Sequence, residues 1–236
     1  VKIAVIIALS AFIVNNQHHM HKLRYIVISW LIVLVPTGLI ALENLSSAIV
    51  VAFVGTVIIF VSSKVTWYFP VFGGLVGGFG AYAYWLAMTT TPTEELGARA
   101  LGGILKQYRL NRIRVWINPW IDPQAGGYQP IQSLYAVGSG GLFGLGLGKG
   151  MQKLGFIPEP HNDIIFAVIS EELGLVGATA IIIAFVILVV RGLIIAIQAQ
   201  DLFGMLLATG ISSMIGIQVL INIGVNTNTI PTTGMQ

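Results

Sequence analysis

Three stretches of this chain have residue types and spacings that can do chemistry. The first is Pro158-Glu159-Pro160-His161-Asn162-Asp163, which runs directly into Ile164-Ile165-Phe166. The prolines hold the chain extended. Asn162 or Asp163 can cap the helix that follows. The competing reading makes Asp163 a general base at a membrane surface, with His161 as proton partner or supporting donor. The second stretch, Arg109-Leu110-Asn111-Arg112-Ile113-Arg114-Val115-Trp116, alternates basic with apolar or aromatic residues. That pattern suits an amphipathic segment meeting anionic head groups. It equally suits a phosphate or pyrophosphate site, because the guanidinium fork matches those oxygens. The third is Glu171-Glu172 inside an apolar run. Acids within a span are costly and face a bundle interior or a wet cavity. Interhelical hydrogen bonding, or pairing with Lys153 or an Arg, explains Glu172; for Glu171 a functional role stands beside that reading.

Two tempting motifs fail. The run from Gly138 to Gly150 is rich in glycine, but Phe143 stands where a Walker A needs Gly, and Gly150 where it needs Ser or Thr. These glycines instead allow sharp turns and close backbone approach. His18, His19 and His21 have no carboxylate or Cys nearby and read as a solvated turn, not a metal site.

The elements that must position these residues are membrane spans. Hydrophobic types make up 56% of the 236 residues and charged types only 9%, too few to coat a soluble globule. Mean hydropathy is +0.86. With no Cys, thiol chemistry, disulfides and Cys-based metal sites are excluded. A net charge of +3 does not suggest a nucleic-acid partner. Apolar runs at 1–14, 24–42, 45–61, 66–88, 164–190 and 202–224 predict about six helical spans, since a hydrocarbon core of about 30 Å takes about 20 residues. The fold class is therefore all-α, a polytopic transmembrane helix bundle. Placing the basic loops 15–24, 62–65 and 191–201 in the cytoplasm makes the spans alternate and sends the long segment 89–162 outward. Its aromatics argue that it folds back onto the membrane surface. Seven of the nine acids lie between Glu94 and Glu172. On an unbroken helix over 164–190, Glu171 falls about 12 Å beyond Asp163 and about 80° around the axis.

Taken in order, these residues resemble the SEDS family, the FtsW/RodA/SpoVE group of bacteria. The likeness rests on Asn118-Pro119-Trp120-Ile121-Asp122-Pro123, Gly127-Tyr128-Gln129, Gln132-Ser133-Leu134, Gly140-Gly141-Leu142-Phe143-Gly144, Gln152-Lys153, the stretch from Pro158 to Ala167, and Glu171-Glu172-Leu173-Gly174. Asn222-Ile223-Gly224-Val225 and Ile230-Pro231-Thr232-Thr233-Gly234 extend it. The details are closest to the division and sporulation members. The resemblance implies a peptidoglycan glycosyltransferase of the bacterial plasma membrane, polymerising lipid II at its outer face beside a class B penicillin-binding protein. It implies Asp163 as the catalytic residue. Lys153, Arg109, Arg112 and Arg114, with His161 and Glu159, are then the candidates to bind substrate and its pyrophosphate, and a divalent cation (Mg or Mn) is a candidate to share that role. Glu171, Glu172, Gln132 and Gln152 are supporting residues. The alternatives are a flippase or transporter of the same lipid-linked precursor, and a non-catalytic scaffold for the penicillin-binding protein.

The chain departs from the family's pattern at several places, mildly at two of them, Asn162 and Ile164. Asn162 and Ile164 stand where the family commonly has Thr and Phe, and Leu42-Glu43-Asn44-Leu45-Ser46-Ser47 lacks a Pro usual before one span. Family members have ten spans, so residues 1–236 are expected to be one membrane domain cut at both ends, with 89–162 as its large extracytoplasmic loop.

Overall fold

The computed structural model describes residues 1–20, 22–63, 73–74, 77–78, 81–82, 85, 107–124, 126–151 and 164–232. Every regular element among them is helical: α1 (Lys2–Asn15), α2 (Leu23–Glu43), α3 (Leu45–Ser62), α4 (Gln107–Ile117), α5 (Tyr128–Ser139), α6 (Ile165–Gln198) and α7 (Leu202–Asn226), with short 3-10 turns at Gln17–His19 and Pro119–Ile121. The all-α reading holds. Windows in α2, α6 and α7 are long and apolar enough to cross a membrane, and α1 and α3 are shorter apolar helices. The chain is a multi-pass membrane protein. Most of the expected span at 66–88 lies outside the described residues, as does Lys64; residues 73–74, 77–78, 81–82 and 85 are helical.

Two compact units emerge. One contains α1, α2, α3 and residues 180–221. Its core is built from residues repeating at helical spacing: Val5, Ile6, Leu9 and Ile13 on α1, Ile26 and Val33 on α2, and Val50, Val51, Val54, Ile58 and Ile59 on α3. Between apolar helices in lipid, close approach depends on small residues. Gly55 supplies one such contact, because a Cβ there would strike Val33, and Gly210 another, against Ile6 and Ile58. Asn44 alone joins α2 to α3 and caps the latter, its Oδ1 accepting the Ser47 N–H at 3.1 Å.

The second unit contains α4, α5, the glycine-rich residues 140–151, the start of α6 and residues 222–232. Two expectations about α6 are corrected here. The helix does not end near 190; it runs to Gln198, so Arg191 is a helical residue and the connection to α7 is only residues 199–201. A single long basic side chain within an apolar helix does not stop it, since the stem can lie along apolar surface while the head reaches water. Asp201 caps α7, its carboxylate accepting the Gly204 N–H at 2.7 Å.

The second correction is that α6 is not one continuous helix. Gly174 breaks it with φ 67° and ψ −170°, backbone that only glycine adopts readily. The geometric relation drawn between Asp163 and Glu171 on an ideal helix therefore stops at the first half of α6. Gly174→Ala is expected to cost at least about 2 kcal/mol, from backbone strain and a clash of the new Cβ with the Gly144 backbone. Gly138→Ala, where the Cβ would meet open space on α5, should stay within about 1 kcal/mol on the stabilising side. Thermal midpoints of the two variants in detergent separate these outcomes.

Candidate functional site

The second unit is organised by the break at Gly174. An unbroken helix would pair the Leu175 N–H with the Glu171 carbonyl, and the Val176 N–H with the Glu172 carbonyl. Here all four groups bond the glycine loop. Leu145 N and Gly146 N donate to the Glu171 and Glu172 carbonyls at 3.0 Å each, and Leu175 N and Val176 N donate to the Gly141 and Leu142 carbonyls at 2.9 and 3.2 Å. Two helical hydrogen bonds are replaced by four between segments. Such close contact needs bare backbone: a Cβ at Gly140 would meet the Ser170 carbonyl, and one at Gly144 the Glu172 carbonyl. Gly141, Gly144, Gly146 and Gly148 all have positive φ. The glycines thus make turns and close approaches, as their residue type suggests.

The end of this loop is held by a buried acid. Glu171 is 1% exposed, and its Oε1 accepts the Met151 N–H at 2.9 Å. A Cβ at Gly150 would come within 2.9 Å of Glu171 Oε2 and 3.2 Å of Glu172 Cγ. Glu171 therefore fixes the backbone one residue before Gln152-Lys153. Glu172 is half-buried, and its carbonyl carries the bond to Gly146.

At the other end, Ile164 is 2% exposed and packs with Ala136 of α5 and Ala167 of α6. The first turn of α6 is tied by Asn226, which is fully buried at the end of α7. Its Oδ1 accepts the Ala167 N–H at 3.1 Å, a donor at the helix start that it shares with the Ile164 carbonyl, also at 3.1 Å. Its carbonyl accepts the Ser133 hydroxyl at 2.9 Å, and its Nδ2 donates to the Asn222 carbonyl at 2.7 Å. One amide thus joins α5, α6 and α7. Sequence reading passed over Asn226; the amides Asn222 and Asn226, four residues apart at the end of an apolar run, were the available signal.

Beyond Asn226, α7 closes with a left-handed Asn228 at φ 53°. The Asn228 N–H bonds the Val225 carbonyl at 3.0 Å and the Thr229 N–H the Gly224 carbonyl at 2.8 Å, the pattern of a Schellman cap. This cap receives α4. Trp116 Nε1 donates to the Asn228 carbonyl at 3.0 Å, Asn228 Nδ2 donates to the Trp116 carbonyl at 3.2 Å, and Arg112 Nη1 donates to the Thr232 carbonyl at 3.2 Å.

The predicted site residues divide clearly. Gln152, Lys153, Glu159, His161 and Asp163 lie outside the described residues. Both ends of the segment that carries them, Met151 and Ile164, are held within the second unit. Arg112 and Arg114 are half-buried on α4, and Arg109 belongs to the same helix. Gln132 is half-buried on α5, next to the Ser133 that bonds Asn226. Among the described residues, no three His, Asp or Glu side chains converge as metal ligands.

Asn226→Leu, which keeps the branched shape but removes one of the two acceptors for Ala167 N–H and the donor to Asn222, is expected to cost about 1–3 kcal/mol. The thermal midpoint in detergent should fall, whereas Thr229→Ala, at an exposed position, should leave it unchanged.

Comparison with known proteins gives a consistent picture. The model of the FtsW/RodA/SpoVE cell cycle protein family matches residues 1–236. "Stage V sporulation protein E" of Bacillus subtilis (strain 168) is 57% identical over 128 residues, covering 54% of this chain and 35% of that protein. "Probable peptidoglycan glycosyltransferase FtsW" of Coxiella burnetii (strain RSA 493 / Nine Mile phase I) is 36% identical over 240 residues, covering 100% of this chain and 59% of that protein. A solved structure described as "Structural coordination of polymerization and crosslinking by a peptidoglycan synthase complex" matches with a TM-score of 0.69 and 25% identity, over 100% of this chain and 60% of that one. The matches thus span from 35% to 60% of the length of these relatives.

Proposed function

The chain belongs to the FtsW/RodA/SpoVE cell cycle protein family, and from that premise we propose that the whole protein is a peptidoglycan glycosyltransferase that polymerises lipid II. In this reading it works at the outer face of the bacterial plasma membrane, beside a class B penicillin-binding protein, in division or sporulation. Residues 1–236 form part of one membrane domain, and 89–162 its extracytoplasmic segment. The observation that carries the reading is the frame around residues 152–163: Glu171 holds Met151 at one end, and Ile164 is buried against α5 and α6 at the other. A short segment that carries Lys153, Glu159, His161 and Asp163 between two held flanking residues suits a preorganised transfer site.

Asp163 accepts the proton of the acceptor sugar's 4-hydroxyl as that oxygen attacks the anomeric carbon of the lipid-linked chain. The bond to the lipid pyrophosphate breaks, and undecaprenyl pyrophosphate leaves with the electron pair. Lys153, Arg109, Arg112 and Arg114 are the cations for the developing negative charge, with His161 and Glu159 contacting the substrate. Gln132, Gln152, Glu171 and Glu172 support the frame. A divalent cation is a further candidate for the pyrophosphate, but the described residues form no ligand set for one, so no step is drawn through it.

A flippase is the second reading, and the broken helix favours it, since transporters bind ions and substrates at such breaks. The bonds to the glycine loop weigh against it, because they occupy the four backbone groups beside this break. Polymerisation of lipid II by the full-length protein with its penicillin-binding partner, in detergent where no membrane sides exist, separates the two. Asp163→Asn should lower the rate by about 10²–10⁴ without changing the thermal midpoint. A normal rate in that variant would remove Asp163 from the mechanism.

A further inference from the structure

We propose that the glycine loop, residues 140–148, is a membrane-seated element whose tip residues Leu142, Phe143 and Leu147 lie among lipid at the bilayer interface. The tip is strongly apolar and open: Leu142 is 61% exposed, Phe143 81% and Leu147 77%. No Asp, Glu, Lys, Arg or His occurs from Tyr128 to Gly148, and the first charge is the exposed Lys149 at the loop's edge. A loop tip in water is normally built from polar turn residues.

The loop's depth follows from its partners. It bonds Glu171, Glu172, Leu175 and Val176. Between the break at Gly174 and Arg191, α6 has 16 uncharged residues, 175–190. At about 1.5 Å per residue they span about 24 Å, most of the hydrocarbon thickness of about 30 Å. The loop is therefore fastened where α6 enters the hydrocarbon. Leu175 and Val176 are 60% and 57% exposed, so the loop surface is continuous with the lipid-facing surface of α6.

Non-helical backbone at that depth needs partners within the protein. The loop has them in its bonds to α6 and in the Gly144 N–H to Gly140 carbonyl bond of 2.8 Å. The stripe Leu134, Tyr135, Gly138 and Ser139 on α5 is exposed and leads into the loop. Tyr135 meets Trp120 edge-on with ring centroids 6.3 Å apart, an aromatic pair of the kind that favours the head-group level.

The absence of Cys from this chain allows a direct test. Phe143→Cys, Leu147→Cys and the control Gln124→Cys are each labelled with an environment-sensitive fluorophore in the full-length protein, with cysteine confined to that position. The proteins are reconstituted into phosphatidylcholine–phosphatidylglycerol vesicles. Labels at 143 and 147 should be blue-shifted, shielded from aqueous iodide, and quenched by lipid carrying a shallow doxyl group at least about twofold more than the label at 124. Quenching by iodide and not by doxyl lipid would put the loop in water. Quenching by neither would mean that protein covers the tip. Either result overturns the proposal. Because the readout is independent of polymerisation, it stands or falls apart from the enzymatic reading.

Discussion

A backbone group in an apolar setting must find a partner, and the break in α6 sets that demand on the rest of the second unit. Gly174 separates the carbonyls of Glu171 and Glu172 from the N–H groups that a straight helix would bring to them. Leaving such a group buried and unpaired costs about 1–3 kcal/mol. The glycine loop meets all four at once, which requires its backbone to pass within bonding distance of two successive turns. That approach in turn excludes side chains at Gly140 and Gly144. Once the loop is seated, Gly150 and Met151 are brought to the Glu171 carboxylate. The geometry of one helix break therefore reaches Met151, the residue before the segment on which the proposed chemistry depends.

Asn226 solves a related problem at the start of the same helix. A helix N-terminus buried against neighbours needs an acceptor for its first N–H groups. The amide oxygen of Asn226 gives one to Ala167, and its nitrogen finishes in the Asn222 carbonyl of its own helix. Only a group with both a donor and an acceptor serves both contacts. A carboxylate in its place would bring a charge to a residue with no exposed surface. The Ser133 hydroxyl adds α5 to the same junction. The two ties act on opposite ends of residues 152–163, through different chemistry.

Much of the architecture was legible because the apolar runs are long. α2, α6 and α7 are spans by length and composition, and single-sequence reading locates such helices well. The break was not legible. Gly174 sits in a run of apolar residues where glycine is common, and nothing local distinguishes a packing glycine from one at positive φ. Its partners lie some 30 residues upstream in a loop whose own glycines did suggest turns. The end of α6 was misplaced because Arg191 resembles a loop residue, yet its helix continues to Gln198. Asn226 was missed because its contacts to Ala167 and Ser133 lie 59 and 93 positions away. Local patterning reports periodicity and breakers; it carries little information on which distant N–H a buried amide will meet.

The scarcity of acids gives the described carboxylates a definite character. Asp122 accepts the Gly126 N–H at 3.1 Å and Asp201 the Gly204 N–H at 2.7 Å. Glu171 accepts the Met151 N–H at 2.9 Å. All three act as acceptors for backbone at a turn, a helix start and a loop end. A general base needs the opposite: a carboxylate within reach of a substrate hydroxyl. In the proposed reading Asp163 has that part, with Glu159 contacting the substrate. Of these two, Asp163 immediately precedes the buried Ile164 and the tied first turn of α6. A base placed there has the shorter lever to a fixed point, and positional precision of that kind is what separates a catalytic carboxylate from one that merely lies nearby.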